Sequence, residues 1–310
     1  MISVIVPLYN EEEVITESYK RLTSVMQGMS EEYELVFIND GSRDKTAQLT
    51  ADIAEKDKHV RLICFSRNFG HQIAITAGMD YAKGDAVVII DADLQDPPEV
   101  IPLMVEKWKE GYHVVYGKRT KRHGETMFKK VTAKVFYRFL QRMTQVDIPT
   151  DTGDFRLIDR KVCDAMKKLR EQNRYVRGLV SWVGFKQYAL EYVRDERFAG
   201  ETKYPLKKMI RLAMDGIASF SYKPLKLATM VGFALSGISF LYLLFVVLQK
   251  LFGTPTVAGW ASILAVQLFF NGVILIILGI IGSYIGRIYE ESKGRPLYIV
   301  QEEIGFDEEN

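Results

Sequence analysis

The chain has 310 residues, of which 48% are hydrophobic and 26% charged, and its formal net charge is +2. That length allows one large or two modest domains, and the near-neutral charge gives no general reason to expect a nucleic-acid partner. Two cysteines, Cys64 and Cys163, are too few for a disulfide framework, which is consistent with a reducing cytosol. The opening residues MISVIVPLYNEEE lack a basic leader, so we expect no signal peptide.

Short runs of β-branched residues alternate with segments of helical periodicity in the first half of the chain. This alternation predicts an α/β domain whose mainly parallel sheet carries helices on both faces. The predicted strands are Ile2–Val6, Glu34–Ile38, Val60–Phe65, Ala86–Ile90 and His113–Tyr116, and the predicted helices are Glu12–Met26, Lys45–Glu55, Gln72–Ala82, Pro98–Trp108 and Lys129–Met143. Ligands of such sheets bind beyond the carboxyl ends of the strands, so the polar residues that follow the strands are candidates for a site.

The clearest polar cluster is VVIIDADLQDPP, residues 87–98, where an apolar run ends in three acids. Asp91 and Asp93 are two residues apart, so an extended backbone would point both carboxylates to the same side. Adjacent carboxylates repel and raise each other's pKa unless a cation lies between or beside them. Mg²⁺ suits the pair because it takes one or two carboxylates and completes its shell with water and phosphate oxygens. Gln95 could add a carbonyl oxygen.

Several polar residues also have purely structural interpretations. Asp96 precedes Pro97-Pro98-Glu99, a pattern typical of a helix N-cap. Asp40 stands before Gly41 and could simply form a turn, and His71 could hydrogen-bond only to the backbone. Asp154 could pair with Arg156 or Arg160 rather than serve catalysis.

The last third of the chain contains two long stretches without charge. Residues 227–249 lie between Lys226 and Lys250, and residues 251–286 are followed by Arg287. A bilayer core about 30 Å thick needs about 20 apolar helical residues, so we predict two transmembrane helices, at about 227–249 and 262–286. Buried helices of a soluble core rarely run so long without a charge.

Basic residues flank the predicted spans on the side that both chain ends share. They are Lys223, Lys226, Arg287, Lys293 and Arg295, whereas the connecting loop offers only Lys250. The positive-inside rule therefore places residues 1–204 and the tail 291–310 in the cytosol. Residues 205–222 are basic and amphipathic, which is typical of a segment on the membrane surface or of a docking helix. The acidic end, Glu302–Asn310, is expected to fray.

Six motifs occur in an order that resembles one enzyme family. They are IVPLYNEEE, FINDGSRDKT, SRNFGHQIA, IDADLQDPPE, TDTGDFRLIDR and FAGETKYPLKK. Together with the two spans and the GRPLYIV tail, they resemble family 2 glycosyltransferases of GT-A fold (Rossmann-like, with a mainly parallel sheet) that load a sugar onto a polyprenyl phosphate. Dolichyl-phosphate mannose synthases and bacterial undecaprenyl-phosphate glucosyltransferases are the nearest types. The motifs are specific for the family and not for the sugar.

The resemblance implies a role for each matching residue. The nucleotide-sugar site would comprise Pro7, Tyr9, Asn10, Glu11, Asp40, Asp91 and Ala92. Asp93, Gln95 and Asp91 would hold Mg²⁺ or Mn²⁺ on the diphosphate. The lipid phosphate would contact Arg119, Arg197 and Lys203, and the catalytic residues would be Asp154, Asp93 and Arg119. Because Lys118–Arg122 is richer in cations than one phosphate contact needs, the choice of cation stays open.

The chemistry of the acceptor bears on Asp154, which the resemblance places near the reacting carbon. A phosphate monoester has a second pKa of about 6, so it is already an anionic nucleophile near pH 7. Asp154 would then be needed less as a base than to orient the acceptor or to stabilise positive charge at the anomeric carbon. A divalent ion with Arg or Lys would stabilise the departing nucleoside diphosphate.

Other functions fit the sequence less well. A processive polysaccharide synthase would carry a Gln-x-x-Arg-Trp motif, but residues 172–175 read QNRY. No G-x-G-x-x-G follows the first strand, and the four histidines lack zinc-site spacing. A membrane-anchored nucleotide-binding scaffold without transferase activity stays open as an alternative.

The resulting interpretation is an inverting hexose transfer at the cytosolic face of the cell (inner) membrane, in service of cell-envelope glycan modification. UDP-glucose is the expected donor, with GDP-mannose and UDP-GlcNAc as alternatives, and undecaprenyl phosphate is the expected acceptor. The bilayer is a further expected partner, and we expect a homo-oligomer.

Overall fold

The structure is a computed structural model that describes residues 1–120, 152–194, 223–252 and 259–306. The predicted helix Lys129–Met143, the juxtamembrane segment 205–222, and both Arg197 and Lys203 lie outside the described residues.

Within the described residues, eight strands form one mixed sheet in the order β7-β5-β6-β4-β1-β2-β3-β8. The strands are β1 (Ile2–Leu8), β2 (Tyr33–Asn39), β3 (Val60–Phe65), β4 (Ala86–Ile89), β5 (Val114–Arg119), β6 (Thr152–Asp159), β7 (Gln187–Tyr192) and β8 (Val300–Ile304). β1 pairs in parallel with β2 and β4, β2 with β3, and β5 with β7. β6 runs antiparallel to β4 and β5, and β8 runs antiparallel to β3. The predicted mainly parallel sheet is therefore confirmed.

Helices cover both faces of this sheet. They are α1 (Ile15–Gln27), α2 (Thr46–Ala54), α3 (His71–Tyr81), α4 (Ile101–Lys109), α5 (Arg160–Lys167) and α6 (Val176–Trp182). All seven residues of β1 are buried; its even-numbered residues belong to one core cluster, and Ile5 belongs to a second cluster. Val4 packs in the cluster that contains Leu22 of α1, and Ile5 packs in the cluster that contains Ile75 of α3. A strand buried on both faces reads as a continuous apolar run, which is why the sequence pattern located it.

The predicted N-cap role of Asp96 is wrong. A 3-10 turn, Pro98–Val100, precedes α4, and its N-cap is Pro97, with no side-chain capping bond. Asp96 is instead fully buried, at 0% exposure.

The strands β6, β7 and β8 were not among the predicted elements. β6, with the sequence TGDFRLID, buries seven of its eight residues, among them Asp154 and Arg156. β7 has the sequence QYALEY and is only half-buried along most of its length. A buried strand that contains charged residues does not give the apolar signal on which strand prediction rests.

The first part of the segment expected to fray, Glu302–Asn310, is instead ordered, because residues 302–304 belong to a strand. Val300–Ile304 forms β8 on the free edge of β3, and Glu302 and Glu303 lie opposite Cys64 and Ile63. The residues from 307 onward lie outside the described part of the chain. The tail therefore completes the sheet that begins with the first residues of the chain.

Two long helices, α7 (Lys223–Leu251) and α8 (Trp260–Ser292), precede this strand. Of the residues that the structure describes, one helical segment, Phe269–Ser292 in α8, is long and apolar enough to cross a membrane, and its apolar window is not buried. Ala228–Tyr242 in α7 is apolar but shorter. Length and composition thus support one of the two predicted spans, and the first span stays a prediction.

Candidate active site

A pocket of about 360 Å³ opens at the carboxyl ends of β1 and β4. From β1 the chain crosses to β2 on one side, and β4 lies on the other side, so the pocket lies where the strand order reverses. Crevices at this position of open α/β sheets are their usual ligand sites. The volume falls within the range of small-molecule pockets, which is about 300–1,000 Å³.

The pocket brings together most of the residues that the sequence singled out. Its lining includes Pro7, Tyr9, Glu11, Asp40, Asp91, Ala92, Asp93, Arg119 and Asp154. Asn10 and Gln95 are not in the lining, and the Asn10 side chain instead accepts a hydrogen bond from the Arg43 backbone amide (2.9 Å). Lys118 pairs with Glu191 at 2.8 Å, so of the two described cations at this strand end Arg119 is the one that reaches the pocket. Lys121 and Arg122 lie outside the described residues.

Asp154 sits at the floor of the pocket between two cationic side chains. Its carboxylate accepts a hydrogen bond from Arg177 Nε (2.8 Å) and lies 3.3 Å from Nε2 of His71. Asp91 Oδ1 lies 3.5 Å from the same Nε2 atom. The half-buried Asp91, the buried Asp154 and two basic groups therefore form one chain of charges, Asp91–His71–Asp154–Arg177.

The structural alternatives for two of these residues can now be judged. The Asp154 carboxylate pairs with neither Arg156 nor Arg160. Arg156 Nε instead bonds to the Asp154 backbone carbonyl (3.3 Å), and the Arg160 guanidinium bonds to backbone carbonyls at residues 82 and 84. His71 faces two carboxylates, so its ring is not limited to a backbone contact.

Burial and charge set the protonation of this cluster. Burial would lower the pKa of His71, but Asp91 and Asp154 raise it to about 9, so the imidazole is cationic near pH 7. Burial raises the pKa of Asp91 to about 6, against the opposing pull of His71. Burial would also raise the pKa of Asp154, but Arg177 and His71 hold it well below its usual range. A carboxylate with so low a pKa is a poor general base, since an effective base has a pKa near the working pH.

Arg177 and Gln72 are site residues that the sequence did not reveal. Arg177 lies in α6, 23 residues after Asp154, and follows no predicted strand. Gln72 donates to Asp154 Oδ2 (3.3 Å) and accepts from the Val176 amide (2.8 Å), which ties α3 to α6. The spacing of these residues gave no signal, because the antiparallel strand β6 brings the two segments together.

Asp40 supports the wall of the pocket through its own loop contacts. Its carboxylate accepts hydrogen bonds from the amides of Phe69 (2.6 Å) and Gly70 (2.9 Å) and from the Asn68 side chain (2.9 Å). Gly41 allows this close approach, because a Cβ there would overlap the backbone of residues 67 and 68 and its φ is +64°. The structure thus gives Asp40 a loop-bracing role in addition to its place in the lining.

Replacing Asp40 by Asn is expected to lower the free energy of unfolding by about 1–3 kcal/mol, since the amide leaves buried N–H groups without a full set of acceptors. Chemical denaturation of the purified protein without nucleotide measures this effect. Glu13→Gln, at an exposed position, serves as a matched control that should not change stability. An unchanged midpoint for Asp40→Asn would show that the loop does not depend on this carboxylate.

Asp91 and Asp93 are the described residues best suited to hold a divalent ion. Asp91 Oδ1 is a buried atom with no hydrogen-bond partner in the described part of the chain, and Asp93 lines the same pocket. Leu94 has a φ of +57°, and the Gln95 amide donates to Asp93 Oδ1 (3.2 Å). Within the described residues no group of three His, Cys, Asp or Glu side chains forms a metal cage. Two carboxylates facing an open pocket do fit Mg²⁺ or Mn²⁺, since such ions take their other ligands from water and substrate phosphates.

Comparison with known proteins agrees with this geometry. Residues 3–166, more than half of the chain, match the family model described as glycosyl transferase family 2. The chain is 64% identical to the "uncharacterized glycosyltransferase YkcC" of Bacillus subtilis (strain 168), covering 98% of this chain and 94% of that protein. It is 45% identical to the bactoprenol glucosyl transferase of Shigella phage SfV, covering 97% and 98% respectively.

A solved structure of glucosyl-3-phosphoglycerate synthase from Mycobacterium tuberculosis, in complex with Mn²⁺ and UDP-glucose, is 21% identical, covers 70% of this chain and 77% of that one, and has a TM-score of 0.46. The family model and the full-length relatives confirm the predicted resemblance: the chain belongs to the family 2 glycosyltransferases, is an enzyme of that class, and has relatives that act as bactoprenol glucosyl transferases.

Proposed function

We propose that this glycosyltransferase moves glucose from UDP-glucose to undecaprenyl phosphate, giving undecaprenyl-phosphate glucose and UDP with inversion at the anomeric carbon. The observation that carries the proposal is the 45% identity to a bactoprenol glucosyl transferase over 97% of this chain, which includes both the pocket residues and the apolar C-terminal helices. The pocket lining is rich in acids, so the two anionic substrates would depend on a divalent ion at Asp91 and Asp93 and on the cation Arg119.

The donor would bind with its diphosphate near Asp91 and Asp93. A divalent ion held by these carboxylates would neutralise charge on the departing diphosphate. Tyr9, Glu11 and Asp40 line the part of the pocket nearest β1 and β2, where the nucleoside would lie. The donor would thus lie along the strand ends, with its nucleoside toward β1 and β2 and its diphosphate toward Asp91 and Asp93.

In the proposed step an oxygen of the lipid phosphate attacks the anomeric carbon from the face opposite the diphosphate. One carbon–oxygen bond forms as the bond to UDP breaks, and a single displacement of this kind inverts the configuration. No proton has to leave the nucleophile, because the phosphate monoester is already ionised near pH 7. The fixed negative charge of Asp154 would stabilise positive charge that develops on the sugar, and Arg119 would contact a phosphate oxygen.

The lipid acceptor makes sense of the apolar helices. We propose that α7 and α8 both lie in the bilayer, with residues 1–204 and 291–310 on its cytosolic side and residues 205–222 at the membrane surface. Residues 227–249 carry no charge, and α7 has 29 residues, about 43 Å at 1.5 Å per residue, which exceeds the bilayer core. Such an arrangement would hold the pocket close to the headgroups. A homo-oligomer is part of the same proposal.

Labelled sugar nucleotides offered to membranes that contain the enzyme and undecaprenyl phosphate test the function. We expect UDP-glucose to give a lipid-linked product, and Asp93→Asn to lower its rate by about 100-fold, the effect of losing several kcal/mol of metal-dependent stabilisation. Asp52→Asn, at an exposed position on α2, is the matched control and should be unaffected.

Each other outcome has a defined meaning. A product from GDP-mannose or UDP-GlcNAc alone would keep the lipid acceptor and reject glucose. Metal-dependent nucleotide binding with no product over long incubation would favour the scaffold alternative. An Asp93→Asn variant as active as the wild type would reject the metal assignment.

A further inference from the structure

Asp96 is the one acid in the loop DADLQD, residues 91–96, to which the proposed function assigns no role. It is fully buried and does not line the pocket, whereas Arg119, which it contacts, does. Its Oδ1 accepts hydrogen bonds from the Tyr192 hydroxyl and from Arg194 Nε (3.2 Å), and its Oδ2 lies 3.5 Å from Nη2 of Arg119. Among the described residues, Oδ2 has no hydrogen-bond partner.

Tyr192 joins the same arrangement from the neighbouring strand. Its hydroxyl accepts a hydrogen bond from Arg119 Nε at 3.4 Å while it donates to Asp96. Arg119 is the last residue of β5 and Tyr192 the last of β7, and these two residues pair in the parallel register. Asp96 and Tyr192 therefore contact the guanidinium of Arg119 from two elements.

Gly153 completes the path of the Arg119 side chain. A Cβ at Gly153 would overlap Nη2 of Arg119 and would lie 3.7 Å from Asp96 Oδ2. The guanidinium thus passes directly over the backbone of β6, next to Asp154, and reaches the pocket at this point. A free Arg side chain carries about 2 kcal/mol of rotamer entropy, so contacts that fix it before substrate binds reduce the cost of a phosphate contact.

We propose that Asp96 is a positioning residue that, with Tyr192, holds the Arg119 guanidinium over Gly153 so that it meets a substrate phosphate in the pocket. The inference rests on the proposed function for its substrate, and it adds the residue that prepares the phosphate-binding group. The phosphate is either that of the donor diphosphate or that of the lipid acceptor.

A double-mutant cycle tests the proposal. Turnover and both KM values are measured for the wild-type enzyme, Asp96→Asn, Arg119→Gln and the double variant. Asp96→Asn is expected to lower kcat/KM by about tenfold in the wild-type background, from a coupling of about 1.4 kcal/mol, and by less than about twofold where Arg119 is already Gln. The KM that rises, for the sugar nucleotide or for the lipid, identifies the phosphate. An equal loss in both backgrounds would overturn the proposal, because a general structural effect does not depend on Arg119.

A second variant covers the case in which Asp96→Asn does not fold. Tyr192→Phe removes the hydroxyl that both Asp96 and Arg119 contact and leaves every charge in place. Tyr192→Phe should lower kcat/KM in the wild-type background and have little effect where Arg119 is already Gln. The control is Tyr188→Phe on the same strand, whose ring packs on Tyr112 away from the pocket. This control should leave kcat/KM unchanged. A loss for Tyr192→Phe that persists in the Arg119→Gln background would again overturn the proposal.

Failure of the proposed function can be told apart from failure of this inference. A wild-type enzyme that forms no lipid-linked product rejects the function. The same cycle is then read from equilibrium binding of UDP and of farnesyl phosphate, without catalysis. Coupling between residues 96 and 119 in either binding reaction supports the positioning role, and its absence from both rejects it.

Discussion

Asp154→Asn is expected to lower the turnover number by about 100-fold or more, which is the range found when one preorganised electrostatic group is lost from an active site. Asp154 is 6% exposed and lies between Arg177 and His71. Its charge is fixed by these neighbours, so an uncharged amide of the same shape removes the stabilisation of a developing positive charge while keeping the packing. Initial rates with UDP-glucose and the lipid acceptor measure the effect.

The same substitution also removes the counter-charge of Arg177 and leaves His71 with Asp91 alone of the two carboxylates it faces. Breaking a buried ion pair from one side costs about 3–5 kcal/mol, so part of any loss in rate could arise from unfolding. The charge-matched double variant, Asp154→Asn with Arg177→Gln, separates the two effects. We expect it to recover most of the free energy of unfolding and none of the turnover. Recovery of both would make Asp154 a structural residue, and near-normal turnover of Asp154→Asn alone would remove it from the mechanism.

The pH dependence of this contribution follows from the direction of the pKa shift. Because the pKa of Asp154 is lowered well below its usual range in the folded protein, the unfolded state binds the proton more tightly. The stabilising contribution is therefore complete above the unfolded pKa of about 3.9 and is lost only as the pH falls through the folded value. Asp154 should thus remain ionised across the physiological range.

The sequence identified the half of the site that follows parallel strands. Asp40, Asp91 and Asp93 each come directly after a β-branched run, and buried parallel strands are visible as apolar runs. All three line one pocket. Their individual roles in binding and catalysis stay predictions.

The other half of the site depends on antiparallel and edge strands, which gave no clear pattern. β6 contributes Asp154 but contains buried charged residues, so its pairing with β4 and β5 could not be read from periodicity. That pairing places Arg177 against Asp154 and Arg119 against Asp96. The Asp96-Pro97-Pro98 pattern pointed to a helix cap, because capping rules consider only residues that are close in sequence. The two arginines and the tyrosine that surround this carboxylate come from distant parts of the chain.

The C-terminal tail is also held at the edge of the sheet by contacts between residues that are distant in sequence. Leu297 is 9% exposed, and the Tyr298 ring stacks on Phe65 with centroids 5.1 Å apart. The Tyr298 hydroxyl donates to Asp80 (2.9 Å). Gln172 bonds to Glu291 at the end of α8 and to the Arg295 carbonyl. The C-terminal end of α8 is thus joined to the sugar-transfer domain by hydrogen bonds at Glu291 and Arg295.

Removing residues 296–310 is expected to lower the free energy of unfolding of the sugar-transfer domain by about 5 kcal/mol, since the side chains of Leu297 and Tyr298 each contribute about 1.5–3 kcal/mol by burial and the strand bonds of β8 are lost as well. This is a large share of the 5–15 kcal/mol typical of a folded domain. Limited proteolysis and thermal unfolding of the detergent-solubilised enzyme measure the loss. The exposed edge of β3 should also promote association of the truncated protein.

Point variants divide this effect between packing and hydrogen bonding. Tyr298→Ala should cost about 3 kcal/mol, near the lower end for loss of a large aromatic side chain, and Tyr298→Phe about 1 kcal/mol for the bond to Asp80. Gln301→Ala, at an exposed position of β8, should leave stability unchanged. If the truncated protein resisted protease as well as the full chain does, β8 would be an accessory strand. Gln172 would then still join the domain to Glu291 and the Arg295 carbonyl at the end of α8.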